Sequence, residues 1–303
     1  MRIKSTTPSR LRRITAVEVA CGAGALNDGC REGPAEFRRH GEPELRARDI
    51  AVTWQRLPRE LGAADGKALD VVYRTALWTA GTISRLIACG DEFVVIGGDH
   101  SCATGTWSGA ADALREAGPL GLIWIDAHLD MHVPATTHSG AINGMPLAAL
   151  LGYGAPELTS VAKTGPAVYP HHVCLVGVRS FEPEELELAE RLHIRLIRME
   201  EVRRRGVEGA LAEAQAIAAD GTAGYGVSLD LDAFDPIDAP GVGTAVPGGI
   251  RAAAFLDTWS ELTREPKCLG IEIAEYNPRR DQSGRTARLI GNLIALGLKE
   301  CIA

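Results

Sequence analysis

Several kinds of sequence feature are missing from this chain of 303 residues. It has no apolar run of the roughly 18 residues that a membrane-spanning helix requires. No Cys-x-x-Cys pair occurs among its seven cysteines, which are scattered and odd in number. Charges of both signs are spread along the chain and the net charge is -7, which is not typical of a nucleic-acid-binding protein. We therefore expect no membrane or nucleic-acid partner, and a reduced, cytoplasmic location.

The amino-terminal segment differs in composition from the rest. Its first thirteen residues, MRIKSTTPSRLRR, are basic and contain no acids. Some transit peptides share this composition, but no apolar segment of a secretory signal follows, so residues 1–13 are expected to form a flexible tail. Residues 14–303 contain no internal repeat, low-complexity segment or evident linker, and 46% of the chain is hydrophobic. We expect them to fold as a single domain.

Short apolar runs alternate with helical patterns along the chain. The runs interpreted as strands are 14–21, 49–54, 93–98, 120–126, 172–178, 194–197, 225–232 and 268–275. Helices are predicted at 67–88, 103–116, 144–151, 182–191, 207–219, 250–263 and 284–300. Because the strands are almost continuously apolar, they are typical of parallel strands covered on both faces. The pattern predicts an α/β fold with three layers, α/β/α, around a mostly parallel sheet of eight strands.

Acidic residues and histidines follow four of the predicted strands. At or just beyond the strand ends stand Asp99 and His100 for the third strand, Asp126, His128 and Asp130 for the fourth, Asp230, Asp232 and Asp235 for the seventh, and Glu275 for the eighth. Ligands of open α/β sheets bind outside the carboxyl ends of the strands. The polar residues are therefore predicted to gather at the edge where a ligand binds.

Taken singly, these residues carry little information. A lone aspartate after a strand is usually a turn former or a helix cap, as we expect for Asp235 before Pro236, and a lone histidine is usually structural. Four or more converging carboxylates, however, would repel one another strongly. No lysine or arginine occurs within GGDHS, DAHLD or SLDLDAFDP, so bound divalent metal is the natural compensation. The candidate ligands are His100, Asp126, His128, Asp130, Asp230 and Asp232.

The number and type of these ligands indicate the metal. Six candidates are too many for one tetrahedral zinc ion. Four carboxylates and two imidazoles, with no cysteine, suit a pair of Mn²⁺ ions, with Ni²⁺, Co²⁺ and Zn²⁺ as less favoured choices. Two such ions can lower the pKa of a water that they share and supply hydroxide at neutral pH. The motifs therefore predict metal-assisted hydrolysis.

In their order and separations, GGDHS, DAHLD and SLDLDAFDP resemble the motifs of the ureohydrolase family, which includes arginases and agmatinases. The resemblance extends from DGCREGP (28–34) to AEYNP (274–278) and the final helix. It implies one Mn²⁺ bound by His100, Asp126, Asp130 and Asp230, and another bound by Asp126, His128, Asp230 and Asp232. Asp126 and Asp230 would bridge the two ions. The family hydrolyses a guanidino or amidino carbon and releases an amine with urea or a related compound.

The resemblance also assigns substrate contacts. Glu275 matches a carboxylate that pairs with the guanidinium, and Thr244 matches a loop residue beside the guanidino group. The residues that match the arginase positions around the amino-acid end of the substrate are Thr137, Ser139, Glu182 and Glu185. These matches favour an arginine-like amino acid over agmatine as the small-molecule partner. Homo-oligomers, commonly trimers or hexamers, are also implied.

Three residues depart from the arginase pattern. His132 stands where arginases usually have asparagine, and Ala141 stands where they often do. Asn143 occupies the place of a family histidine thought to pass protons to the leaving amine, and asparagine cannot act as a general acid. One interpretation is that His132, His138 or water supplies the proton and the substrate is arginine. The other is that the substrate is a less basic guanidine, such as Nω-hydroxy-L-arginine.

We therefore expect an arginase-like enzyme that acts on arginine, giving ornithine and urea, or on a modified arginine, with preference for the modified one. Nω-hydroxy-L-arginine would give ornithine and hydroxyurea. A formimidoylglutamase is an alternative, although its first motif usually differs from GGDHS, and an agmatinase-like hydrolase is another. Outside catalysis, the loss of the histidine at Asn143 suggests a metal-binding pseudoenzyme or regulatory subunit. A deacetylase-like hydrolase with a single zinc would have a different motif order.

Overall fold

The structure is a computed structural model that describes residues 12–62 and 66–297. Eight strands occur in these ranges, as the sequence predicts. They are β1 (Arg12–Val19), β2 (Ile50–Arg56), β3 (Phe93–Gly97), β4 (Leu120–Ile125), β5 (Val168–Val178), β6 (Arg195–Arg198), β7 (Gly224–Asp230) and β8 (Cys268–Ala274). Of the predicted tail, residues 1–11 lie outside the described residues, whereas Arg12 and Arg13 pair with β2 as part of β1.

Nine α-helices are present in the described ranges, and seven of them overlap the helices predicted from the sequence. They are α1 (Gly33–Arg46), α2 (Ala68–Cys89), α3 (Cys102–Leu114), α4 (Pro146–Leu150), α5 (Pro156–Thr159), α6 (Pro183–Arg191), α7 (Met199–Ala219), α8 (Ala252–Thr263) and α9 (Arg285–Gly297). The predicted end of the last helix, residues 298–300, lies outside the described residues. None of the helices in the described part combines the length and apolar composition that a membrane span needs.

Two helices were missed and one was predicted too short. Helix α1 contains Gly41 and Pro43, residues that weaken helical signals in a sequence, yet it forms because its buried face packs on the sheet. Helix α5 is a single turn. Helix α7 begins at Met199 instead of residue 207 because a first helical segment precedes a kink at Gly206, where φ is +82°.

All neighbouring strands in the sheet are parallel, and their order is β2-β1-β3-β8-β7-β4-β5-β6. Four central strands, β3, β8, β7 and β4, are therefore consecutive neighbours. These are the same strands that end in the polar motifs. Strands far apart in the sequence thus bring GGDHS, AEYNP, SLDLD and DAHLD to one stretch of the carboxyl edge.

Helices cover both faces of the sheet. Side chains of α1, α7, α8 and α9 pack in one buried cluster, and side chains of α2, α3, α4 and α6 pack in another. On the second face Trp107 of α3 lies against Gly226 of β7, where a Cβ atom would approach the indole ring to 1.8 Å. This close approach requires glycine in the strand. The fold is the three-layer α/β arrangement expected from the sequence.

Candidate metal centre

The first group of polar side chains surrounds His100, which follows β3. Its Nδ1 atom lies 3.2 Å from Oδ2 of Asp126, 3.0 Å from Oδ2 of Asp130 and 3.2 Å from Oδ2 of Asp230. The three carboxylates come from the ends of β4 and β7. One imidazole nitrogen and three carboxylate oxygens therefore converge on a single point.

A second group lies beside the first and surrounds His128. Its Nδ1 atom is 3.5 Å from Oδ1 of Asp126 and 3.1 Å from Oδ2 of Asp232. Asp126 belongs to both groups, because its Oδ2 faces His100 while its Oδ1 faces His128. A carboxylate with one oxygen in each group is arranged as a bridging ligand would be.

Burial and the mutual repulsion of the carboxylates destabilise their negative charges, so positive charge would stabilise this site. Burial, followed by the charges of Asp232 and Asp126, raises the pKa of Asp230 well above its ordinary value. Burial and the charge of Asp126 raise the pKa of Asp130 to about 7. Burial lowers the pKa of His100, but the three nearby aspartates outweigh it and raise that pKa well above the ordinary value. A divalent cation would supply the compensation that protons otherwise provide.

Two unsatisfied atoms fit a metal ion. Among the described residues, His100 Nδ1 and Asp130 Oδ2 are buried and have no hydrogen-bond partner, although they lie only 3.0 Å apart. Buried polar atoms are nearly always hydrogen-bonded. Two electron-pair donors that face each other without sharing a hydrogen bond are placed as two ligands of one ion. The donor set, with carboxylates and imidazoles but no thiolate, also suits a divalent metal.

A chain of buried contacts orients His100. Its ring stacks on Trp124, with centroids 4.3 Å apart, and its Nε2 lies 3.0 Å from Ser228 Oγ, which donates in turn to Glu272 Oε1 at 2.9 Å. Since Ser228 donates to Glu272, it accepts from Nε2–H, which leaves the lone pair of Nδ1 facing the aspartates. Ser228 and Glu272 are register partners in β7 and β8. Sequence reasoning missed both, and the available signal was a polar residue in each of two otherwise apolar strands.

Backbone and indole donors fix the carboxylates. Trp124 Nε1 donates to Asp126 Oδ2 at 2.9 Å, and the backbone N–H of His128 donates to Asp126 Oδ1 at 2.7 Å. The backbone N–H of Asp232 donates to Asp230 Oδ1 at 2.8 Å. Asp126 therefore accepts two of these hydrogen bonds and Asp230 accepts one.

Glu275 closes the site on the side of β8. It has a left-handed backbone, with φ of +68°, and its N–H donates to the carbonyl of Gly98 at 2.8 Å. Its Oε1 accepts from the backbone N–H of His100 and from Asn143 Nδ2, both at 3.0 Å. A Cβ atom at Gly243 would lie 2.1 Å from Glu275 Oε2, so a side chain at this position of the loop that carries Thr244 would displace the carboxylate. The carboxylate is thus fixed beside the two metal-ligand groups.

A cavity of about 480 Å³ opens onto the site. Its volume lies within the range of small-molecule sites. It is lined by these residues selected from the sequence: His100, His128, Asp130, His132, Ser139, Asn143, Glu182, Glu185, Asp230, Asp232, Thr244 and Glu275. Asp126 lies buried beneath it. Thr137 does not line the cavity, and its hydroxyl accepts from the backbone N–H of Gly140 at 3.0 Å.

His132 is held at the end of the cavity where the amino-acid tail was expected. Its Nε2 lies 3.2 Å from Glu182 Oε2 and 3.4 Å from Glu185 Oε2, and its Nδ1 lies 3.2 Å from Thr136 Oγ1. Both ring nitrogens therefore have neighbours. Glu185 has a structural task as well, because it accepts from the backbone N–H of Glu182 at the start of α6 and from that of Met131. Burial raises the pKa of Glu185 to about 8.

Known proteins resemble this chain over most of its length. The Arginase family profile matches residues 13–297. The arginase of Bacillus caldovelox is 34% identical over 91% of this chain and 95% of its own, and that of Brevibacillus brevis is 35% identical over 92% and 95%. The crystal structure of Bacillus cereus arginase has a TM-score of 0.87 at 30% identity and covers 96% of this chain and 100% of that one. Formimidoylglutamase of Bacillus subtilis, at 19% identity and a TM-score of 0.76, shares the fold.

The family match covers the eight strands, apart from Arg12 at the start of β1, and includes the candidate site residues. Both bacterial arginases align over nearly their full length, so the likeness is not confined to a shared motif. The chain belongs to the arginase family and is a hydrolase that acts on amidino or guanidino bonds.

Proposed function

We propose that the protein is a dinuclear manganese hydrolase whose preferred substrate is Nω-hydroxy-L-arginine, which it cleaves to L-ornithine and hydroxyurea. One observation carries the choice of substrate. Asn143 Nδ2 donates to Glu275 Oε1 at 3.0 Å inside the cavity. A side chain that cannot release a proton therefore stands beside the carboxylate assigned to the guanidino group.

The two polar groups would hold the metal ions. We assign one ion to His100, Asp126, Asp130 and Asp230, and the other to Asp126, His128, Asp230 and Asp232. Hard carboxylate oxygens outnumber imidazoles in both sets, which favours manganese over zinc. When bound, the pair would activate a water molecule toward the guanidino carbon.

Glu275 would orient the substrate. Carboxylates pair with planar guanidinium groups through two hydrogen bonds, and such pairs fix direction as well as distance. Glu275 is 3% exposed, and donors on both sides of its carboxylate hold it in place before any substrate arrives. This preorganisation would present the guanidino carbon to the metal-ligand groups, and Thr244 would border the guanidino group from the loop.

The departure of the amine requires a proton at its nitrogen, and this chain supplies few donors for it. Asn143 has only an amide, and the ring nitrogens of His132 already contact Glu182, Glu185 and Thr136. An N-hydroxyl group makes the guanidine less basic and brings an O–H of its own. Because Asn143 Nδ2 is engaged with Glu275, its Oδ1 carbonyl is the atom suited to accept from that hydroxyl.

The other end of the cavity would take the amino-acid tail. Ser139 and Glu182 line the cavity, and we assign them to the α-carboxylate and α-amino groups respectively. Thr137 and Glu185 would contribute through the backbone that they fix, since Thr137 holds the turn that contains Ser139 and Glu185 caps the helix that begins after Glu182. An ordinary arginase is the second candidate, favoured by the 34–35% identity to two bacterial arginases.

Replacing Asn143 with histidine tests the proposal. A positioned general acid contributes about 10²- to 10⁴-fold to catalysis, so Asn143→His should raise kcat/KM for L-arginine by at least about tenfold. The hydroxylated substrate should gain much less, because histidine would also remove the Asn143 Oδ1 carbonyl assigned to its N-hydroxyl group. Asn143→Gln is the matched control, since it keeps an amide and should give no gain. Equal changes on both substrates would show that residue 143 does not select between them.

A further inference from the structure

One cysteine lies inside the catalytic cavity. Cys30 belongs to the short helical turn Gly29–Glu32, is 1% exposed and lines the cavity beside the metal-ligand groups. Its Sγ atom lies 3.0 Å from Glu275 Oε2 and 3.5 Å from the Glu275 carbonyl oxygen. The thiol therefore touches the residue assigned to the guanidino group, across a sequence separation of 245 residues.

The contact completes the hydrogen bonding of this carboxylate. Glu275 Oε1 already accepts from the backbone of His100 and from Asn143, whereas Oε2 accepts from Cys30. Packing leaves little freedom on this side, because a Cβ atom at Gly243 would lie 3.2 Å from the Cys30 sulfur and 2.1 Å from Oε2. Donors from three separate segments of the chain therefore determine the orientation of one carboxylate.

We infer that Cys30 is a positioning residue, whose thiol donates to Glu275 Oε2 and holds the carboxylate in the plane that receives the guanidino group. The inference rests on the proposed function, because that function assigns Glu275 to the guanidino group. Cys30 acts through Glu275 and forms no covalent bond to substrate.

The environment keeps the sulfur protonated. Burial, followed by the charge of Glu275, raises the pKa of Cys30 far above its ordinary range. A protonated thiol is a hydrogen-bond donor, whereas the thiolate is the nucleophile and the metal ligand. Cys30 is thus placed as a donor and not as a reactive group, which separates it from an attacking or metal-binding cysteine.

Kinetics of two variants test the role. Cys30→Ala removes the donor, and we expect kcat/KM of the Mn²⁺-loaded enzyme to fall about five- to tenfold, mostly through KM, because Glu275 contacts the substrate in the ground state. Cys30→Ser restores a donor and should recover most of the loss. Cys174→Ala, at a buried cysteine in β5 outside this cavity, is the matched control and should leave both constants unchanged. A Cys30→Ser enzyme as poor as Cys30→Ala, or an unaffected Cys30→Ala enzyme, would overturn the inference.

A second measurement needs no turnover. In the Mn²⁺-loaded protein, Glu275→Gln removes the negative charge beside the thiol, so methyl methanethiosulfonate should label Cys30 at least about threefold faster. Exposed Cys89 should react at the same rate in both proteins. An unchanged labelling rate at Cys30 would show that the thiol and carboxylate are not in contact. The labelling experiment tests the contact between Cys30 and Glu275 even if the protein hydrolyses no guanidino compound. Absence of hydrolysis would contradict the proposed function separately.

Discussion

Ser228→Ala is the change that tests the proposed metal site most selectively. Ser228 is not a metal ligand in our assignment, but it accepts from His100 Nε2 at 3.0 Å and donates to Glu272 Oε1 at 2.9 Å. Only the first of the two groups contains His100. The substitution should therefore weaken the binding of one ion and leave the affinity for the other unchanged.

The size of the effect follows from the contacts that are lost. His100 Nε2 lies 3.8 Å from Glu272 Oε1, too far for a direct hydrogen bond, so Nε2 would lose its hydrogen-bond partner in a fully buried site. Leaving a buried polar group unsatisfied costs about 1–3 kcal/mol. Loss of such an outer partner typically lowers metal affinity about 10- to 100-fold. We expect that range for the ion held by His100.

Calorimetric titration of the metal-free protein with Mn²⁺ measures both ions. The unsubstituted protein should bind two, and Ser228→Ala should bind one with unchanged affinity and one about 10- to 100-fold more weakly. Ser108→Ala, at a buried serine in α3, is the control for removing a buried hydroxyl elsewhere. If the affinities for both ions fell equally, or if neither fell, the assignment of His100 to one ion would be refuted.

Three further changes have distinct outcomes. Asp126→Asn should remove the bridge, so that metal analysis finds fewer than two ions and no hydrolysis remains; two retained ions with full turnover would contradict the ligand assignment. Glu275→Gln should keep two ions and lower kcat/KM about 100-fold, and an unchanged value would take Glu275 out of substrate orientation. Gly226→Ala should drive a methyl group into Trp107 and lower the free energy of unfolding in urea by about 1–3 kcal/mol. Gly209→Ala is the control, because, apart from its chain neighbours and its own helix backbone, no atom lies nearer than 3.9 Å to its added Cβ, and it should not destabilise the fold. Equal stability of the two variants would argue against the packing of α3 on β7.

Local patterns account for most of what the sequence predicted correctly. Continuously apolar runs identified every strand, because parallel strands covered on both faces leave that signature within a few residues. The polar motifs were identified for a similar reason, since each lies directly after its strand. The strand order could not be derived in this way. That β3, β8, β7 and β4 are neighbours depends on pairing between distant segments.

The same distinction explains the omissions. Helix α1 was missed because Gly41 and Pro43 oppose helix formation locally, while its packing against the sheet is a tertiary effect. The Ser228–Glu272 and Cys30–Glu275 contacts join residues that are 44 and 245 positions apart, and such distances leave no periodic trace in the sequence. A matching motif position also does not determine where a side chain points, as Thr137 shows by bracing its own turn outside the cavity.

The most direct test of the central claim is the ratio of kcat/KM for Nω-hydroxy-L-arginine to that for L-arginine. It is measured on the Mn²⁺-loaded protein by following ornithine, with agmatine and N-formimidoyl-L-glutamate as further substrates. With Asn143 beside Glu275, we predict a ratio well above one and little activity on the other two compounds. A ratio below one would contradict the account and identify an ordinary arginase with a different proton route.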